Sequence, residues 1–136
     1  QPFLSVNRQV SFSAQSGKDL QALCDPVLVS EIIGNFLSNA DKYSSADTAI
    51  AVYIYQEDHW VCCQVQDQGR GISPADLPHI FQRYFRAGSV ADVTGTGIGL
   101  YVAAELAALQ RGQVTVRSDE NSGSIFTLCL PHHFNK

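Results

Sequence analysis

Glu31-Ile32-Ile33-Gly34-Asn35-Phe36-Leu37-Ser38-Asn39-Ala40-Asp41-Lys42-Tyr43 is the stretch on which the reading of this chain turns. At roughly 100° per residue, Glu31, Asn35, Asn39 and Lys42 fall within about a quarter turn of one another on a helix. Val29, Ile32, Ile33, Phe36, Leu37 and Ala40 fill an adjacent apolar arc. One helix thus anchors in a core and turns two carboxamides and an ammonium elsewhere. Carboxamide oxygens can coordinate a hard cation such as Mg²⁺ without cancelling its charge, and a lysine suits a phosphate chain. Taken alone, the two asparagines also read as part of a solvated face. Asparagine is a mediocre helix former, however, so two of them a turn apart need compensation. The stripe reads as half of a metal-nucleotide site whose other half must lie downstream.

Working outward, Asp25-Pro26 supplies an N-cap and a proline in the first helical position, and the helix should stop near Tyr43-Ser44-Ser45. Upstream, Gln9 to Ala14 reads as a strand and Leu20 to Cys24 as a short second one, with a turn between them. Ile50 to Tyr55 and Trp60 to Val65 alternate as an antiparallel hairpin around a polar turn at Gln56 to His59. Ser73 to Leu77 begins a short helix, and Ile80 to Arg86 sets aromatic residues beside two arginines. Ala87 to Thr94 is small, polar and aperiodic, which predicts a mobile loop. Gly99 to Gln110 reads as a helix with Gly112 as its C′ residue, and Gln113 to Arg117 and Ser124 to Leu130 read as closing strands.

With 136 residues and 45% hydrophobic content, the chain is most simply one domain with a real core. A net charge of −4 argues against a nucleic-acid partner, and no Lys/Arg run suggests a membrane patch. No apolar stretch approaches the roughly 20 residues that span a bilayer. Starting at Gln1 without Met, the chain is expected to be a piece of something longer. Cys24, Cys62, Cys63 and Cys129 show no C-x-x-C spacing and sit in apolar surroundings, which predicts buried free thiols in a reducing, cytoplasmic setting.

Asp67-Gln-Gly69-Arg-Gly71-Ile72 places a carboxylate at a strand end. Such a carboxylate could accept a hydrogen bond from an exocyclic amine while the glycines let backbone approach a flat ring; the same residues also fit a simple turn. Thr94-Gly95-Thr96-Gly97-Ile98-Gly99-Leu100 leads into a helix, where glycine-rich backbone makes an anion cradle or, equally, a tight loop. A P-loop is excluded because no Lys-Ser or Lys-Thr comes after either segment. A dinucleotide fingerprint is excluded because Leu100 stands where its third glycine would be.

With these motifs in order, the chain resembles the catalytic ATP-binding domain of sensor histidine kinases, in the GHKL superfamily that includes gyrase, heat-shock chaperone and mismatch-repair ATPases. The asparagine stripe resembles the N box, Asp67 to Gly71 the first glycine box, and Ile80 to Arg86 the F box. Gly95 to Leu100 resembles the second glycine box, and Gly123 to Thr127 with Leu130-Pro131 the closing strand. The likeness runs from about Gln9 to Pro131. It implies an α/β fold, a two-layer sandwich of the Bergerat type in which a mixed, mostly antiparallel sheet packs on helices. Residues 1–136 would form a single catalytic domain of a larger kinase, without its dimerisation domain.

The resemblance further implies ATP and Mg²⁺ as ligands. Asn39 would be the principal metal ligand with Asn35 supporting it, and Asp67 would accept from the adenine amine. Lys42, Tyr43 and Arg83 or Arg86 would meet the nucleotide. Gly69, Gly71 and Ile72, and Gly95, Thr96, Gly97, Ile98, Gly99 and Leu100, would line it, with Thr127 beside the adenine and Ala87 to Thr94 as the lid. Gln82, the Tyr84-Phe85 order, Thr94 and Asp41 depart from the common pattern. Gyrase-like relatives carry a water-activating Glu where Asn35 stands, and an amide cannot take that proton. The expected reaction is therefore transfer of the γ-phosphate to a His on a separate dimerisation domain, in cis or trans, with a response regulator receiver domain downstream. A non-enzymatic nucleotide-binding regulator and a serine-directed anti-sigma-type kinase are the alternatives.

Overall fold

The computed structural model describes residues 8–17, 20–22, 24–44, 47–82, 99–119 and 122–132. Its elements run β1 (Val10–Ala14), α1 (Pro26–Tyr43), β2 (Ile50–Glu57), β3 (Trp60–Gln66), a 3-10 turn (Leu77–His79), α2 (Gly99–Leu109), β4 (Gln113–Asp119) and β5 (Gly123–Pro131). The five strands form one sheet in the order β1-β2-β3-β5-β4. β1 lies parallel to β2 and the other neighbours are antiparallel.

Each element has a local cause. The Asp25 carboxylate accepts from the Val27 and Leu28 N–H groups at 2.9 and 3.4 Å, satisfying donors that the first turn of α1 leaves open. Ile32, Phe36 and Ala40, spaced by one turn, then face the sheet, and Ile32 and Phe36 are wholly buried. Phe36 meets Phe126 of β5 with ring centroids 5.5 Å apart. From the sheet, Ile50, Val52, Val65, Phe126, Leu128 and Leu130 complete the core, and Ala103 and Ala107 of α2 close it. Two layers result, with both helices on one sheet face.

Four expectations are corrected. Of the expected strand Leu20 to Cys24, the described residues Leu20, Gln21, Ala22 and Cys24 form none, and Ala22 makes only an isolated bridge to His132. β5 is already paired on both edges, by β3 and β4, so only the residue beyond it can take another partner. Ser73 to Asp76 turns into a one-turn 3-10 helix, Leu77–His79, rather than into a helix that starts at Ser73. Ser73 accepts the N–H groups of Asp76 and Leu77, but Pro78 has no N–H to extend the ladder.

At the end of α2, Arg111 rather than Gly112 is the left-handed C′ residue, with φ +61°. The Arg111 N–H donates to Ala108 O and the Gly112 N–H to Ala107 O, the bond pair of a Schellman cap. Gly112 is small for another reason: a Cβ there would lie 2.6 Å from the Cys129 carbonyl oxygen. The cysteines also differ from expectation. Cys62 and Cys129 face each other in register and are joined as a disulfide, Cys24 is exposed, and Cys63 is a partly buried free thiol. Burial pushes the Cys63 thiol up to about 11, so it is a poor nucleophile.

Candidate nucleotide site

Three chain segments meet where α1 ends beside the sheet. Asn35 and Asn39 are half-buried on α1, while Glu31 and Lys42 are exposed. Gly99, the first residue of α2, lies against Asn35: a Cβ added there would stand 3.0 Å from the Asn35 Oδ1. The N-box stripe and the end of the second glycine box are therefore neighbours, and a side chain at position 99 would press on the Asn35 carbonyl oxygen.

Asp67 comes directly after the last residue of β3 and is 5% exposed. Its Oδ1 accepts from the Gly69 N–H at 3.0 Å and the Ser124 N–H at 3.2 Å, and its own N–H donates to the Ser124 carbonyl. No hydrogen bond from a described residue engages Oδ2. One oxygen is thus anchored to the frame. Burial pushes the Asp67 carboxyl above the usual carboxylate range, against the opposing pull of the Gly69 and Ser124 N–H groups and the Arg8 charge.

The first glycine box is small for a reason unlike the one the sequence suggests. A Cβ on Gly69 would collide with the Tyr43 carbonyl oxygen, so this glycine lets the loop close on the last turn of α1. An antiparallel bridge between Ser44 and Gly69 holds the two together. Arg70 sits over the Tyr43 ring, 5.4 Å from its centroid. Gly71 takes φ +73°, which sends the chain on to Ile72. The Ile72 N–H donates to the Ser118 hydroxyl at 2.7 Å, and the Ser118 and Ser124 hydroxyls are 2.8 Å apart.

Among the proposed ligands, Tyr43 at the end of α1 meets Gly69 and the Asp67 loop that runs on to Gly71 and Ile72, while two turns earlier on the same helix Asn35 meets Gly99, with Asn39 between the two contacts, Lys42 beside Tyr43, and Leu100 packed against the core. Thr127 joins neither contact. Phe126 and Leu128 point to the helices, so strand alternation sends Thr127 to the far face, opposite Gln64 and Thr115. Ser124 and Ser118, which the sequence reading passed over, are the hydroxyls that adjoin Asp67 and Ile72. The apolar spacing of Phe126, Leu128 and Leu130 carried the signal, because it puts Ser124 on the helix-facing side and Thr127 on the other. Arg83, Arg86, the loop Ala87 to Thr94, and Gly95, Thr96, Gly97 and Ile98 lie outside the described residues.

A mixed sheet with helices on one face, a buried acceptor at a strand end and a carboxamide stripe beside it define an ATP-binding domain of the GHKL type. The sequence matches the histidine kinase-, DNA gyrase B- and HSP90-like ATPase family over residues 24–133, and the chain belongs to that family. It is 33% identical over 128 residues to the sensor histidine kinase YvrG of Bacillus subtilis, covering 93% of this chain and 22% of that protein. The mycobacterial sensor histidine kinase MprB superposes with a TM-score of 0.83 at 24% identity, over 94% of this chain and 86% of that one. Full-length ShkA, solved in complex with AMPPNP, gives 0.80 at 24% identity over 95% of this chain and 26% of its own. Within the family, the chain is a catalytic ATP-binding domain of the histidine kinase kind. It spans 22% of the length of YvrG and 34% of a mycolicibacterial SenX3. No described helix is long and apolar enough to cross a membrane.

Proposed function

We propose that this chain binds Mg-ATP and presents its γ-phosphate to a histidine carried by a separate dimerisation domain of a two-component sensor kinase. The observation that carries the reading is Asp67, a buried carboxylate with one oxygen fixed by two backbone N–H groups and no donor to the other among the described residues. That geometry suits the exocyclic amine of adenine and rejects a guanine carbonyl at the same place. Family membership and the AMPPNP bound by ShkA support the choice of nucleotide.

The carboxamide oxygens of Asn39 and Asn35 fit a hard cation, and the absence of a side chain at Gly99 keeps a Cβ off the Asn35 oxygen. When bound there, Mg²⁺ would neutralise phosphate charge. Lys42, one helical step further on, would bind the phosphate chain as a point charge, and Arg83 or Arg86 would add to it. Tyr43 and Ser124 would hold the base side of the ligand, with Tyr43 steadied by Arg70. Asn35 cannot deprotonate water at neutral pH, which favours transfer to a positioned nucleophile over hydrolysis. His59 lies in the β2–β3 turn and His79 in the 3-10 segment, both exposed and apart from Asn35 and Asp67. His132 follows β5 and His133 lies outside the described residues; on this reading the acceptor is supplied by another segment or chain, and a receiver domain would take the phosphoryl group onward.

Calorimetry checks the first step. Wild type should bind ATP in a Mg²⁺-dependent manner, and Asn39→Ala should lose most of that dependence. Equal Mg²⁺-dependent affinity in both proteins would remove Asn39 from the metal site.

A further inference from the structure

Arg8 precedes β1 and lies far from any motif that the sequence reading singled out, yet it reaches the last turn of α1. Its Nε donates to Asp41 Oδ1 at 2.8 Å, and the two side chains are only 8% and 11% exposed. Its terminal nitrogens donate to the Thr48 carbonyl at 2.6 Å and, at 3.3 Å, to the Asp41 carbonyl. The last of these is one of the carbonyls that a helix C-terminus leaves without an intrahelical partner, and a cation there also complements the helix dipole. One guanidinium thus joins three pieces of chain: the approach to β1, the end of α1 and the approach to β2. Only a planar fork with several donors can do this.

The contact matters because Asp41 sits just ahead of the site. Lys42 and Tyr43 are the next two residues, and Tyr43 and Ser44 lie directly against Gly69, two residues from Asp67. We propose that Arg8 is a positioning residue for the nucleotide site, fixing the last turn of α1 and, through Tyr43 and Ser44, the Asp67–Gly71 loop that closes on it. The inference rests on the nucleotide reading above for its functional consequence, though not for the contact itself. The Arg8 charge also reaches Asp67, where it favours the ionised carboxylate. Nearly buried ion pairs contribute little net stability when compared with well-packed apolar replacements, so stability and positioning can be separated by mutation.

The decisive comparison uses the double variant Arg8→Met/Asp41→Leu, the single variants Arg8→Lys and Asp41→Asn, and wild type. Each is monitored by thermal melting, Mg-ATP calorimetry and the amide NMR signals of Lys42, Tyr43 and Gly69 without nucleotide. The double variant should melt at or above the wild-type temperature, shift those three amides, and bind Mg-ATP about fivefold or more weakly. Arg8→Lys keeps the charge without the fork and should lose affinity in the same direction with near-native melting. Asp41→Asn keeps an oxygen for Nε and should bind within about twofold of wild type. Unshifted amides and unchanged affinity in the double variant would overturn the proposal. Should the double variant not fold, the same result in Arg8→Lys would overturn it. If wild type fails to bind Mg-ATP, the nucleotide reading falls, while the amide shifts still decide whether Arg8 holds the loop.

Discussion

Asp67 concentrates the chemistry of the site in one side chain. Its carboxyl is raised above the usual range because burial outweighs two backbone donors and the Arg8 charge. Two pH effects of opposite sign result. Protonation relieves the buried charge, so this group favours the folded apo protein below its unfolded pKa, and that advantage fades as pH rises through the folded pKa. Adenine recognition needs the ionised acceptor, so Mg-ATP affinity should instead fall as pH drops through the raised folded value, earlier than an ordinary carboxylate would dictate. Asp67→Asn should therefore leave the apo protein at least as stable at neutral pH, while weakening ATP binding by about 1–3 kcal/mol, because the amide presents a donor to the adenine amine. Denaturant melts and calorimetry across pH 5–8 measure both; an Asp67→Asn protein that binds ATP as wild type does would remove Asp67 as the base reader. Residue by residue, the sequence speaks where a proposed role stems from side-chain type, as for Asn35, Asn39 and Asp67. It is silent where a role depends on what lies opposite. Gly69 is shaped by the Tyr43 carbonyl, and Ser118 reaches Ile72 from 46 residues away, which no local pattern reveals.

The elements were more readable because their causes are local. The Asp25 cap, the proline after it and the turn-spaced Ile32, Phe36 and Ala40 announce α1, and alternation announces β2, β3 and β5. Register between strands distant in sequence is a property of the assembled sheet, so the Cys62–Cys129 pairing, 67 residues apart, could not be read from spacing. Helix termination is an intermediate case: Gly112 marks the right place, but the left-handed residue is one position earlier. Arg111 bears the steric cost of that conformation, which glycine would relieve apart from its larger backbone entropy. Arg111→Gly should stabilise the domain by about 0.5–1 kcal/mol, read as a higher urea midpoint with unchanged slope. A lower midpoint would mean that the Arg111 side chain contributes more than its backbone costs.

At the scale of the molecule, the sheet supplies a floor, the two helices a roof, and α1 carries Asn35 and Asn39 toward the end that closes on the Asp67 loop. On the proposed reading such a domain holds and orients ATP, while phosphoryl transfer also requires a nucleophile held in line, which that reading assigns to another domain. Binding and transfer are therefore separable. The most direct test tracks label from γ-³²P-ATP in the presence of Mg²⁺, using this chain alone and this chain mixed with a sensor-kinase dimerisation domain that carries the acceptor His. Acid-labile label should appear on the dimerisation domain only when both are present, should vanish when the acceptor His is replaced, and should be absent from this chain by itself. Acid-labile labelling of the isolated chain, or steady ATP hydrolysis by it after rigorous purification, would contradict the account.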